Sequence, residues 1–354
     1  MELQVLPSDF GLPCVDSECL QFMAACKFCA APIVVIRQTK PWSTPKGRYP
    51  VFITAEGDKI TDFSNFITYL KTHGNDLVID GHLSESQRGE LYTFGSFIRT
   101  KLWPAYLHAI WADEHNFSCV TNHWFARHLM FPLNQWHVTS RRQNAHTILQ
   151  AMYPGINVTM KDIEYAVTRQ AITCLNQLSA KLGDRKYFYG DKPSSLDALV
   201  FGYVAPLLKL PLPNDRLQQH LKACSNLTRF VETIISIYLP LSDEELTLQR
   251  RGLADWEMRR TRAQEHIRRE KADERRQQRA GGATEKSDDT DEFHIRDKII
   301  FGVFAATISV LAALHFGLIK VELAERVAEN SVSSAPALPD GLGLNAATAS
   351  ASEL

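Results

Sequence analysis

GDKPSSLDALVFGY, residues 190–203, reads as a turn, a helix start and the apolar helix that follows. Ser194 and Asp197 stand at capping-box spacing ahead of the run Ala198 to Tyr203, with Asp in place of the usual Glu or Gln. Each partner can satisfy an orphan amide of the first helical turn, worth about 1 kcal/mol. Ser194 and Asp197 therefore read as structural residues, and neither Ser194 nor Ser195 as a nucleophile. The surrounding sequence is helical from about Gln87 to Tyr238. Leu227, Phe230, Val231, Ile234, Ile235 and Tyr238, for example, keep helix spacing over successive turns.

Upstream of about residue 85 strand and helix signals alternate. Leu3 to Leu6 is a short strand candidate, and Ser17 is the expected N-cap of a helix running to about Cys29. Ile33 to Ile36 is an uninterrupted β-branched run, the pattern of a strand covered on both faces. Val51 to Ile53 and Lys59 to Thr61 flank Glu56-Gly57-Asp58 and predict a hairpin. Phe63, Phe66, Ile67 and Leu70 then form a helical stripe that stops at Gly74-Asn75. Two parallel strands joined by a helix need a right-handed crossover. The order therefore predicts a small α/β layer of thioredoxin type.

Downstream, residues 248–280 carry eleven bases and six acids, with Asp255–Arg259 and Glu265–Arg269 in the favourable order for a helix. This segment reads as a solvated helical spacer, with contact to anionic lipid head groups as the alternative. Ile299 to Ile319, IIFGVFAATISVLAALHFGLI, is long enough to span a hydrocarbon core and holds no Asp, Glu, Lys or Arg. Arg296 and Lys298 precede it, Lys320 follows, and an acidic, Ala/Ser-rich tail comes after. The acidic N-terminus lacks a basic n-region and an apolar run, so a tail anchor inserted after synthesis is expected, with the body in the cytosol. Bases at both ends of a moderate anchor favour the mitochondrial outer membrane over the endoplasmic reticulum. The seven cysteines are odd in number and scattered, as in a reduced cytosolic protein. A net charge of −1 points to no nucleic-acid partner.

Catalytic chemistry finds little support. Cys26-x-x-Cys29 falls at the far end of its predicted helix, where the helix dipole has the wrong sign to lower a thiol pKa. No second Cys or His pair has zinc-ligand spacing, and no phosphate-binding glycine loop or nucleophile elbow occurs. Catalytic, cofactor-binding and metal residues are each expected to be absent. Trp103, Trp111, Trp124 and Trp136 belong to an aromatic band read mostly as core, with an exposed docking face as the other reading.

A thioredoxin-like half followed by a helical half with a Ser-x-x-Asp cap is the plan of cytosolic glutathione transferases. Particular residues go further, and over about residues 3 to 240 the chain resembles the metaxins. These are Phe28-Cys29-Ala30-Ala31-Pro32, the run Trp42 to Pro50, Trp111 to Asn116, Trp124-Phe125-Ala126, Phe131-Pro132-Leu133 and Phe188 to Ala198. The anchor matches the tail-anchored, metaxin-1/3-like branch, while the long charged spacer and tail depart from it. The resemblance implies a glutathione-transferase-like fold with a thioredoxin-like α/β domain (1–85) and an all-helical domain (86–247); the residue patterns beyond it predict a charged and partly helical linker (248–297), a transmembrane anchor bounded by Lys298, Ile299, Ile319 and Lys320 (298–320), and a disordered tail (321–354). Pro50 resembles the structural cis-proline of that fold.

The resemblance implies a non-enzymatic subunit of the sorting and assembly machinery of the mitochondrial outer membrane. Its expected partners are a second metaxin-like subunit, the membrane-embedded β-barrel assembly subunit, β-barrel precursors and the lipid bilayer. A glutathione-dependent transferase or peroxidase is one alternative, and an outer-membrane adaptor for mitochondrial transport another. Against the enzyme, the first-strand turn offers Asp9 and Phe10 where transferases place a Tyr, Ser or Cys, with Cys14 and Ser17 poorly placed. The pair that would hold a γ-glutamyl group becomes Asp62-Phe63, trading a hydroxyl for a ring that fills the pocket.

Overall fold

A computed structural model describes residues 1–73, 79–155 and 159–280, all within one compact unit spanning Met1–Gly281. The N-terminal layer runs β1 (Glu2–Val5), α1 (Ser17–Phe28), β2 (Val34–Arg37), β3 (Val51–Ile53), β4 (Lys59–Ile60) and α2 (Phe63–His73). Its four strands lie in the order β2-β1-β3-β4. β1 and β2 are parallel, Leu3 against Val35, whereas β3 runs antiparallel to β1, Leu3 against Phe52, and pairs with β4 in the expected hairpin. This is the thioredoxin-like sheet. Gly74-Asn75, the expected helix stop, lies outside the described residues.

Two local expectations change. The run Ile33 to Ile36 does not form a doubly covered strand. β2 is an edge with β1 as its partner, and Val34 is 62% exposed. Its β-branched residues satisfy strand geometry without being buried, because propensity reports backbone fit and not depth. Asp16, rather than Ser17, occupies the N-cap of α1, and Ser17 is the first helical residue. The Asp16 carboxylate is buried and faces Arg141 at 3.9 Å.

The helical half begins at α3 (Glu85–Lys101), started by a capping box between Ser84 and Gln87. It continues through α4 (Trp103–Leu107), α5 (Glu114–Asn116), α6 (Asn122–His128), α7 (Leu133–Met152), α8 (Met160–Leu182), α9 (Ser195–Lys209), α10 (Arg216–Ala223) and α11 (Ser225–Tyr238). α9 lies at the centre: every residue from Ser195 to Leu208 is buried. It packs on α1, which is buried along most of its length and so lacks a single apolar stripe. Gly202 makes this contact possible. A Cβ there would lie 2.3 Å from Gln21 Cγ and 2.7 Å from the Ser17 carbonyl oxygen. Gly202→Ala is therefore expected to destabilise the protein by about 1–3 kcal/mol. Urea unfolding of the variant should show a lowered midpoint that Gln21→Ala does not restore, since the backbone clash remains. A midpoint equal to wild type would show that the two helices can slide apart freely.

The charged segment is not a solvated spacer. α12 (Asp243–Ala280) is a single helix whose length overlaps the expected linker 248–297, and it docks on the body. Trp256 is 3% exposed, edge-on to Phe10 at 5.0 Å and to His123 at 5.2 Å. Ile267 is buried further along. Arg260 pairs with Asp215 at 2.9 Å and donates to Gln218 at 3.1 Å. The expected Asp255–Arg259 and Glu265–Arg269 contacts are not among the ion pairs of the described residues. Two sparse apolar anchors in a charged helix leave too weak a periodicity for sequence reading to detect.

Candidate functional site

A cleft of about 820 Å³ lies between the α/β layer and the helices. It is lined by Glu18 and Phe22 from α1, Lys46 and Arg48 from the segment between β2 and β3, Asp62 and Phe63 at the start of α2, and by α3 and α9. Asp62 is committed to the backbone: its carboxylate accepts from the amides of Ser64 at 3.0 Å and Asn65 at 3.2 Å, capping α2. The Phe63 ring lies 5.8 Å from Phe22, where the sequence placed a pocket-filling side chain. Arg99 donates to Ser64 Oγ at 2.9 Å, and Arg48 approaches Glu18 at 3.4 Å. These contacts occupy Asp62, Ser64, Arg99, Arg48 and Glu18 among the cleft's polar groups.

The turn after β1 is closed by other parts of the chain. Asp9 accepts from the Phe10 amide at 2.8 Å and from Trp124 Nε1 at 3.0 Å, and burial raises its carboxyl pKa. Phe10 and Gly11 adopt positive φ. α12 covers them: Gln249 accepts the Gly11 amide at 2.8 Å, Glu245 accepts from Ser8 at 3.2 Å, and Trp256 meets Phe10. Cys14 and Cys19 are buried, and burial pushes the Cys19 thiol well up. Cys29 caps the C-terminal end of α1, donating its thiol to the Ala25 carbonyl at 3.0 Å. Burial raises the pKa of Cys26 and of Cys29, the direction opposite to activation.

The Ser194–Asp197 cap is a buried carboxylate network. Asp197 accepts from the Phe188 amide at 3.0 Å and from the Ser194 amide and hydroxyl at 2.8 and 2.6 Å. Burial lifts its pKa to about 6 despite these bonds. Sequence reading missed the adjoining member. Asp80, buried and at positive φ, accepts from the Ser195 amide and hydroxyl, each at 2.7 Å, and pairs with Lys71 at 3.0 Å. No spacing rule links residues 80 and 195. Pro50 follows a cis peptide ahead of β3, and Pro132 follows another at Phe131 that the sequence did not announce.

The aromatic band divides. Trp111 and Trp124 are core, and Trp103 is partly buried against it. Met130, Phe131 and Trp136 are 61%, 69% and 62% exposed, and with Leu133 they make an apolar ridge at the turn between α6 and α7. Lys298, Ile299, Ile319 and Lys320 lie outside the described residues, within which no helix is long and apolar enough to cross a membrane.

Comparison with known proteins assigns this arrangement. Residues 19–142 match the family described as outer mitochondrial membrane transport complex protein, and residues 171–234 match the glutathione S-transferase C-terminal domain. A metaxin-1 homolog of Caenorhabditis briggsae is 44% identical over 93% of this chain and 100% of its own. Metaxin-3 of Xenopus laevis is 36% identical over 69% of this chain and 78% of its own, and metaxin-1 of Mus musculus 33% identical over 71% and 78%. Among solved structures, a glutathione S-transferase of Ceriporiopsis subvermispora in complex with glutathione is similar at a TM-score of 0.46 and 17% identity, over 68% of this chain and 98% of that one. On its residues, on the full length of the worm relative and on its transferase-like helical half, the chain belongs to the metaxin family.

Proposed function

We propose that this protein is a protein-transport component of the mitochondrial outer membrane. Within that role we assign it to the sorting and assembly machinery, as a non-enzymatic subunit that helps insert β-barrel precursors. The observation that carries the reading is the match of residues 19–142 to an outer-membrane transport family. That segment contains the exposed ridge Met130-Phe131 and Trp136. An apolar, solvent-facing ridge of this kind suits a docking surface better than a catalytic one. The apolar segment 299–319 would tether the cytosol-facing body and raise its effective concentration beside membrane-embedded partners.

Two features support a binding role over a glutathione-dependent one. Phe63 sits where a hydroxyl would hold the γ-glutamyl group, and the turn after β1 is covered by α12. The test is a pull-down of the intact, detergent-solubilised protein, with β-barrel levels followed after depletion. Co-purification of a second metaxin-like subunit and loss of β-barrel proteins on depletion are expected. Turnover of glutathione conjugates, or normal β-barrels with altered organelle distribution, would overturn the assignment. Replacing Phe131 and Trp136 together by Ser should cut partner recovery about tenfold or more, as for loss of aromatic anchors, while leaving the melting temperature unchanged. Undiminished recovery would exclude the ridge as the contact.

A further inference from the structure

The fold brings two histidines and a carboxylate together from distant parts of the sequence. His266 and Glu270 are one turn apart on α12, with His266 Nδ1 3.4 Å from Glu270 Oε1. His115, on α5, places Nε2 3.0 Å from Glu270 Oε2. The three candidate ligand atoms all lie within 4.8 Å of one another. Zinc ligands at about 2.0–2.2 Å in tetrahedral geometry stand a little over 3 Å apart, so a contraction of about an ångström would complete the set.

Both sides of the cluster are held in place. His115 is flanked by Asp113, whose carboxylate accepts the Asn116 amide at 2.8 Å, and by Asn116, which donates to the Ala109 and Asn214 carbonyls. Asn214 closes the network by donating to Asp113 and Glu164. On α12, Ile267 is buried beside His266, Arg260 is tied to Asp215, and Lys161 reaches Glu274 at 2.5 Å one turn beyond Glu270. The ligands are therefore presented by supported backbone rather than by loop ends, and solvent has access for the remaining coordination positions.

We propose that His115, His266 and Glu270 form a divalent-cation site that clips α12 to the helical body. Two imidazoles and one carboxylate suit a borderline ion such as Zn²⁺, not Ca²⁺ or Mg²⁺, which prefer oxygen cages. Because His115 and the α12 pair meet when the helix is docked, an ion bound there suppresses helix opening by mass action. The site is independent of the transport reading: it concerns how the body holds its last helix, whatever the body binds.

The test uses the full chain in detergent micelles, stripped with a chelator and titrated with Zn²⁺ against a chromogenic competitor. Wild type should bind one equivalent more than the variant His115→Ala/His266→Ala. His266→Ala or Glu270→Gln alone should weaken that equivalent by about a hundredfold or more, since losing even a supporting residue of a metal site costs about 10–100-fold. Both of these positions are solvent-exposed, so metal-free melting should match wild type. The Co²⁺ form should lack a thiolate charge-transfer band, which separates the site from the seven cysteines. Zn²⁺ should also slow tryptic cleavage within α12 in wild type and not in Glu270→Gln. Equal zinc uptake by wild type and the double variant, or a thiolate band on the extra equivalent, would leave a metal-free histidine–carboxylate cluster and overturn the proposal.

Discussion

Asp197→Ala is expected to destabilise the protein by about 3 kcal/mol at pH 7, and by more in mild acid. Three donors, the Phe188 amide and the Ser194 amide and hydroxyl, converge on this carboxylate in a buried setting. Each buried donor left without an acceptor costs about 1–3 kcal/mol, partly offset because alanine also removes a desolvated charge. Asp197→Asn keeps one acceptor oxygen and should fall between the variant and wild type. The pH dependence has a defined sign. Burial holds the folded carboxyl near pKa 6, whereas the unfolded carboxyl titrates near the ordinary aspartate value of 3.8. Between those values the folded state binds the proton more tightly. Wild type therefore gains stability from this residue as pH falls from about 6 to 4 and loses that gain as pH rises through 6. Alanine cannot share in it, so the gap between variant and wild type should widen by about 2–3 kcal/mol from pH 7 to pH 4, at 1.36 kcal/mol per unit. Paired urea titrations across that range measure it. A gap that narrows toward acid would mean that the ionised form is the one the fold favours.

This cap was legible in the sequence because both partners are local. Ser194 and Asp197 stand three residues apart, and the helix register then fixes their meeting. The hairpin at β3 and β4 followed from a similarly short-range pattern, whereas Pro50 was placed by the family resemblance and not by spacing. What escaped was long-range. Asp80 reaches Ser195 across more than a hundred positions, and nothing in the residues near 80 signals a buried carboxylate. His115 meets Glu270 at a comparable distance along the chain, a contact that no fixed spacing announces. β2 was misjudged for a related reason. Its β-branched run reports what a strand tolerates, but whether a second neighbour covers it is decided by sheet order. Of the cleft, the Asp62-Phe63 pair was readable, while the covering of the β1 turn by α12 was not.

That covering helix carries the other large effect. Trp256→Ala should release α12 from the body, and tryptic cleavage within Arg250 to Arg262 should accelerate by about a hundredfold or more. Truncating a buried tryptophan costs about 3–5 kcal/mol, and each 1.4 kcal/mol is a tenfold change in the open population that a protease samples. The effect is large because the rest of the helix is charged, with Trp256 and Ile267 its buried apolar residues. Exposed ion pairs such as Lys161–Glu274 contribute little by comparison. Release would also free the turn after β1, since Gln249 and Glu245 leave Gly11 and Ser8 together with the Trp256 ring leaving Phe10. Hydrogen exchange should therefore speed at the Gly11 amide as well as along α12. Ser194, the N-cap of α9, and Asp197 in its first turn keep their own bonds, so the amides they cap should stay protected. If cleavage and exchange at Gly11 both match wild type, the helix is held by its charges. The turn would then owe its shape to Asp9 and Trp124 rather than to α12.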